Sequence, residues 1–351
     1  MSERSGAARA RPEIGSDPKE IRLDLIAVIA AVSDEPRGES PKVLTVERDG
    51  EPALPSGLLD PLRDRTLELA LRGWVRERAG TELGYVEQLY TFGNRYRDPR
   101  ERDGGDRVVS IAYLALIRES AAEPGANARW RGWYEFLPWE DWRAGRPQLL
   151  DEVAVPALER WIRAAAGAAG GAAAARARRE RVEIGFGLRG APWDPDRVLD
   201  RYEILYEAGL VHEAWRAGGG RGETSAEETV SAPQDLGVRL GQPLALDHRR
   251  ILASALGRLR GKIRYRPVVF ELVPPTFTLF ALQRVVEALS GTKLHKQNFR
   301  RLVEDGGLVE GTGRVEPRTG GRPAELFRFR REVLRERPAP GVGRAGRRSR
   351  G

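Results

Sequence analysis

A chain of 351 residues is long enough for two or three separately packed cores. Its 59 Lys and Arg against 51 Asp and Glu give a net charge of +8, crowded after Arg249 and in the terminal RRSRG, as suits a polyanionic partner. The lack of cysteine excludes disulfides, thiolate metal sites and cysteine nucleophiles; without a membrane-length apolar run or signal-peptide core, a cytoplasmic protein with no membrane partner is expected.

The first twenty residues are expected to be disordered. Ile21–Ser33 and Pro41–Arg48 read as strands, β-branched runs bounded by turn formers. Residues 54–61 (LPSGLLDP) read as a loop, and Asp64–Gly80 as a helix that Gly80 stops. Two more strands follow at 84–93 and 108–117, parted by the polar loop 94–107. Residues 132–142 (GWYEFLPWEDW) read as strand and turn, and 149–166 as a helix closing the domain. Mixed strands with a helix after the second strand predict an α/β/α sandwich.

Residues 164–179 are rich in Ala and Gly, either a loose helical extension or a linker. Residues 195–216 read as a helical connecting or dimerising module, and 218–237, poor in apolar residues, as a mobile loop. A basic helix follows, carrying Arg249, Arg250, Arg258, Arg260 and Lys262, with Arg264 and Arg266 beyond. These cations either extend a basic surface or form a solvated face.

From Phe277 to Arg330 the pattern is helix, tight turn, basic helix and hairpin. Thr278 is placed to cap a helix in which Leu279, Leu282, Val285, Val286 and Leu289 recur at helical spacing, and Ser290-Gly291 ends it. The second helix spans about 294–304, with Leu294, Phe299, Leu302 and Val303 inward. Lys296, Gln297, Asn298, Arg300 and Arg301 face out. Two short strands then flank a turn bearing Arg318 and Arg322, completing a winged helix-turn-helix. Lys296 to Asn298, at the helix start, are the expected base readers, and Arg300 and Arg301 the expected phosphate contacts. One such head reads a short site, so a homodimer on a double-stranded operator is expected.

The N-terminal order of strand, loop, helix, Gly stop and further strands resembles a Nudix domain. Active Nudix enzymes carry R-E-apolar-x-E-E-x-G, because hydrolysing a pyrophosphate needs carboxylates clustered to hold a hard divalent cation. With Gly80 on the last Gly of that pattern, only Glu77 survives of three ligating glutamates. Trp74 and Arg78 stand in place of the other two, Gly73 replaces the Arg, and Arg65 replaces an upstream Glu. A cation in that shell opposes metal binding.

Downstream, Glu87-Gln88-Leu89-Tyr90-Thr91-Phe92-Gly93, Arg97-Asp98-Pro99 and Arg107 to Tyr113 resemble the NrtR/NadQ-type Nudix-related transcriptional regulators of NAD metabolism. KQNFRR and GGRPAELFRF resemble the same family, and the likeness runs over about residues 20–335. It implies a repressor of NAD biosynthesis genes that senses an adenine nucleotide (ADP-ribose, NAD or ATP) without hydrolysis, with no catalytic residue, no metal and no required cofactor. Arg97 and Arg100 would meet the phosphates in place of the lost metal, and Phe92, Tyr113 or Trp133 would stack on adenine. The competing reading is an active pyrophosphohydrolase drawing metal ligands from Glu68, Glu77, Glu82 and Glu87.

The expected organisation is therefore α/β. It comprises a disordered start (1–20), a catalytically degenerate Nudix-like effector domain (21–163) and a helical connector with low-complexity segments (164–240). A winged-helix DNA-binding domain (241–335) and a disordered basic tail (336–351) complete it.

Overall fold

A computed structural model describes residues 20–33, 40–80, 82–118, 127–167, 171–217, 239–316 and 323–342. The start of the chain to 19, the 218–237 loop, the wing turn with Arg318 and Arg322, and residues from 343 on lie outside them.

The spine of the fold is β1 (Ile21–Val32), which is buried from Asp24 onward. It pairs parallel to β6 (Arg107–Leu116) and antiparallel to β2 (Pro41–Arg48) and β4 (Ser56–Leu58). β3 (Glu51–Ala53) and β7 (Ala128–Gly132) flank β2, and β5 (Tyr85–Phe92) closes the other edge beside β6. Both faces of β1 are covered, which is why it reads as a continuous apolar run. Leu25, Ala27 and Ile29 pack against Ala70, Leu71 and Val75 of α1 (Leu67–Ala79). Ile26, Val28, Ala30 and Val32 face a helical layer supplied by later sequence.

α1 starts where Thr66 accepts Leu69 N at 3.2 Å and ends at Gly80, whose φ is 61°. The 54–61 stretch is not all loop, because β4 adds to the β1 edge. Nor is 132–142 a strand. The strand ends at Gly132, whose N–H donates to Glu135 Oε1 at 2.6 Å, opening the short helix α2 (Trp133–Phe136). Buried aromatic rings on consecutive residues suit a turn packed on all sides better than a two-faced strand.

The helical layer holds α3 (Val155–Ala166), α4 (Gly171–Phe186), α5 (Val198–Glu207), α6 (His212–Ala217) and α7 (His248–Ile263). The Ala-rich stretch expected as loose extension or linker enters a regular helix, α4, which buries Ala175, Val182 and Phe186. Ile251, Leu252, Ala255 and Leu256 of α7 are fully buried in the same cluster as Ile26, Val28 and Leu114 of the sheet. Residues 248–263 thus bridge the sandwich and the winged helix, packing on both, because the apolar stripe outweighs the cations interleaved with it. Two of those cations fit neither expected role: Arg249 is 0% and Arg260 4% exposed.

The C-terminal head consists of α8 (Leu279–Ser290), α9 (Lys296–Asp305), β8 (Val309–Glu316) and β9 (Ala324–Phe329), followed by α10 (Val333–Glu336). β8 and β9 pair antiparallel. Of the tail expected to be disordered from 336, residues 336–339 are exposed, whereas Pro340 and Val342 are buried.

Candidate functional site

Loop 94–107 is folded by two carboxylates. Asp98 accepts Arg100 N at 3.0 Å, capping the turn Pro99–Glu101. Glu101, itself buried, accepts Tyr96 N at 2.9 Å and Val108 N at 3.1 Å, drawing the loop back onto β6. This turns Arg97 inward until its side chain is 4% exposed. Its guanidinium donates to Ser110 Oγ and to both oxygens of Asp247, Nη2 to Oδ1 at 2.6 Å and Nε to Oδ2 at 3.2 Å. Ser110 Oγ lies 3.4 Å from Asp24 Oδ2.

Arg97, Ser110 and Asp24 of this chain line a cavity of about 550 Å³ walled also by Arg22, Arg48, Arg100, Asp98 and Asp106, among others. The size suits a small ligand. Burial pushes the Asp24 carboxyl up to about 6, against the opposing pull of Arg48 and Arg97. Arg22 pairs with Asp106 at 2.7 Å and Arg100 with Asp98 at 2.5 Å. Among the described residues Arg48 has an ion pair only with Asp49, at 3.9 Å. Four guanidinium groups thus line one concavity, three of them closely paired with carboxylates; a guanidinium fork matches phosphate oxygens two at a time.

Of the nucleotide contacts expected from sequence, Arg97 and Arg100 meet at this cavity. Phe92 lies behind Arg97, its ring centroid 5.9 Å from the guanidinium carbon, and is buried. Tyr113 is on the opposite face of the sheet, buried against the α1 layer, and Trp133 is fully buried in the core on the helical side. None of the three rings lines the cavity. Sequence reading missed Asp24, Ser110 and Asp247; the alternation of β1 and β6 places the first two on one face, but nothing local pairs Arg97 with a residue 150 positions away.

On α1, Trp74 lays its indole against β4, with ring atoms 3.3 Å from where a Cβ on Gly57 would stand. A Cβ there would be tight, and the indole would have to give by a few tenths of an ångström. Glu77 and Arg65 are exposed, Gly73 is half-buried, and the Arg78 side chain lies outside the described residues. Among the described residues no group of three His, Asp or Glu is placed to hold a metal ion. One exposed carboxylate beside an indole does not fit the magnesium that hydrolytic Nudix chemistry uses.

The second surface is the helix-turn-helix. Thr278 accepts Ala281 N at 3.1 Å at the start of α8, and Gly291, φ 70°, ends it. α9 then buries Phe299 and Val303 and exposes Lys296, Gln297, Asn298, Arg300 and Arg301 on one side. Arg300 is held by Glu304 at 3.0 Å, whereas Lys296 and Arg301 carry no ion pair among the described residues. Glu287 sets the approach of α9: it accepts Leu294 N and Gln283 Nε2 at 2.9 Å each and Lys293 Nζ at 3.2 Å. Burial raises its pKa, but these donors outweigh that and hold it below the usual carboxylate range. Arg314 and Arg328 are exposed on the wing strands, Arg328 paired with Glu310 at 2.6 Å.

The family model for the "NrtR DNA-binding winged helix domain" matches residues 269–329, which run from before α8 to the end of β9. Residues 269–329 form an NrtR-type DNA-binding winged helix domain. A curated relative, the "ADPR responsive transcriptional repressor NtrR" of Acinetobacter baylyi, is 43% identical over 86 residues, 24% of this chain. The match spans 34% of that relative's length. The crystal structure of Shewanella oneidensis NrtR with a 27mer DNA superposes with a TM-score of 0.51 at 21% identity, covering 89% of this chain and 95% of that one. A MutT/nudix family protein from Enterococcus faecalis gives 0.48 at 16% identity, over 90% and 88%. The fold is that of NrtR: a Nudix-like α/β sandwich followed by a C-terminal winged helix. Among the described residues no helix is long and apolar enough to cross a membrane.

Proposed function

We propose that this protein is a DNA-binding transcriptional repressor whose Nudix-like domain binds an adenine nucleotide without cleaving it. The observation that carries this reading is the join of an NrtR-type winged helix, its exposed face lined by Lys296, Gln297, Asn298, Arg300 and Arg301, to a sandwich with an arginine-walled cavity. Phosphate contacts position such a head and base-edge contacts give it sequence preference. Arg318 and Arg322, which lie outside the described residues, are proposed from the sequence as further DNA contacts.

The effector proposed first is ADP-ribose, for which the Acinetobacter baylyi relative is named; NAD and ATP share its adenine and phosphates. Its diphosphate meets Arg48, Arg97 and Arg100, and an aromatic stack is not required. The regulated genes are those of NAD biosynthesis, the working form is a homodimer on a two-fold operator, and the site of action is the cytoplasm. Hydrolysis is not part of the proposal, because the α1 position needed for metal carries Trp74.

Full-length protein should retard DNA upstream of NAD-synthesis genes and of its own gene, and ADP-ribose should change that affinity while being recovered intact. Cleavage of ADP-ribose with Mg²⁺, lost in Glu77→Gln, would instead establish the hydrolase.

A further inference from the structure

Arg97, which lines the cavity, and Asp247, the carboxylate that holds it, both follow strained backbone. Tyr96, φ 61°, precedes Arg97, and Leu246, φ 53°, precedes Asp247; L side chains rarely adopt this region. Strain of this kind persists only where surrounding contacts over-determine it, and it collects at switching sites. Here the contact common to both is the Arg97–Asp247 pair.

Asp247 sits at the first turn of α7 but makes no capping hydrogen bond; both its oxygens go to Arg97. The same helix start is tied to the other cavity wall, where His248 Nδ1 accepts Leu54 N at 3.0 Å, two residues before β4. At its far end, about 18 Å away at 1.5 Å per residue, α7 grips the helix-turn-helix. Arg260 Nε donates to Leu289 O at 3.2 Å and Nη2 to Glu140 O at 2.9 Å. The neighbouring Trp142 N donates to Gly291 O at 2.7 Å. A Cβ on Gly291 would stand 2.6 Å from Arg260 Nη2, so this junction has no slack.

We propose that Arg97 and Asp247 form a latch that a diphosphate in the cavity opens, and that α7 carries the release to the turn between α8 and α9. The proposal rests on the cavity being the nucleotide site and adds how that site is regulated. A diphosphate needs the guanidinium fork that Asp247 occupies, and its charge repels the Asp247 carboxylate, so fork and carboxylate part as it binds. Parting lets Leu246 leave the left-handed region and frees the first turn of α7. Because coupling is reciprocal, whatever stabilises the latch weakens nucleotide binding.

The test measures ADP-ribose binding calorimetrically, and amide hydrogen exchange, on the full chain, with inorganic pyrophosphate as a second probe. Asp247→Asn removes the competing charge without removing a cap, and should bind ADP-ribose roughly tenfold more tightly. Leu246→Asn keeps every charge and places a residue tolerant of the left-handed region there, and should bind it several-fold more weakly. In the wild type, ligand should speed exchange at 248–252 and 288–294; in Asp247→Asn these amides should already exchange fast. Opposite signs from two adjacent substitutions are not what general destabilisation produces, and either variant alone remains decisive should the other not fold. Unchanged binding in the variants, or an unaltered ligand response at 288–294 in Asp247→Asn, overturns the latch and leaves the cavity assignment standing. Failure of the wild type to bind either probe overturns both.

Discussion

Glu140 and Arg201 are both fully buried and meet in a two-pronged pair, Nε to Oε1 at 2.6 Å and Nη2 to Oε2 at 2.9 Å. Arg260 joins the same carboxylate at 2.6 Å, so one anion from the turn after α2 balances cations from α5 and α7. Removing one partner of a buried pair leaves an uncompensated charge, which costs about 3–5 kcal/mol. Glu140→Gln should therefore lower the melting temperature sharply, and should do so more than Glu304→Gln, which loosens only the exposed pair with Arg300. Thermal unfolding of the two variants side by side checks this.

The recognition helix predicts two kinds of variant. Gln297→Ala and Asn298→Ala should change which operator bases are tolerated, about 1–3 kcal/mol at the base concerned. Arg301→Ala should weaken binding evenly across sequences and reduce the salt dependence by about one phosphate contact. Binding titrations on operator variants at several salt concentrations separate these outcomes; equal behaviour of the three would remove the assignment of base readers.

Acid should destabilise the fold through His248. Burial, reinforced by Arg97, Arg48 and Arg216, pushes its imidazole down from 6.5 to about 3. A lowered pKa means that the unfolded chain takes up a proton that the folded one refuses. Stability present above about 6.5 is thus lost as pH falls towards 3, by up to about 5 kcal/mol. His248→Gln keeps an acceptor for Leu54 N and should flatten this limb in a pH series of denaturation curves.

Asp24 runs in the other sense. With its carboxyl raised to about 6, the folded chain holds a proton between about 4 and 6 that the unfolded chain has lost. That contribution is full below 3.8 and is lost as pH rises through 6. In the cavity the same titration matters to ligand: a neutral Asp24 does not repel a diphosphate. ADP-ribose should bind more tightly at pH 5.5 than at pH 7.5, and Asp24→Asn should remove most of that difference in calorimetric titrations.

The charge logic of the head was legible because its signals are local. Thr278, Gly291 and the spacing of Phe299 and Val303 each act within a turn or two, and the structure places them as that spacing predicts. The strands at 21–32, 41–48, 85–92 and 107–116 were legible for the same reason. What escaped was long-range. Arg249 and Arg260 read as surface cations because their partners, Glu213 and Glu140, are 36 and 120 residues away. Tyr113 read as a ligand contact because a strand's two faces look alike until the layer behind each is known. The cavity needs Asp24 from β1, the 94–107 loop and Asp247 before α7, and only the fold brings these together.

Binding of this chain to DNA upstream of NAD-synthesis genes, followed by fluorescence anisotropy as ADP-ribose is added, tests the proposed repressor most directly. The expected result is specific binding that requires the α9 cations and that shifts with ADP-ribose, with the nucleotide recovered uncleaved. Binding no tighter than to random DNA, or an operator affinity indifferent to ADP-ribose, NAD and ATP alike, contradicts it.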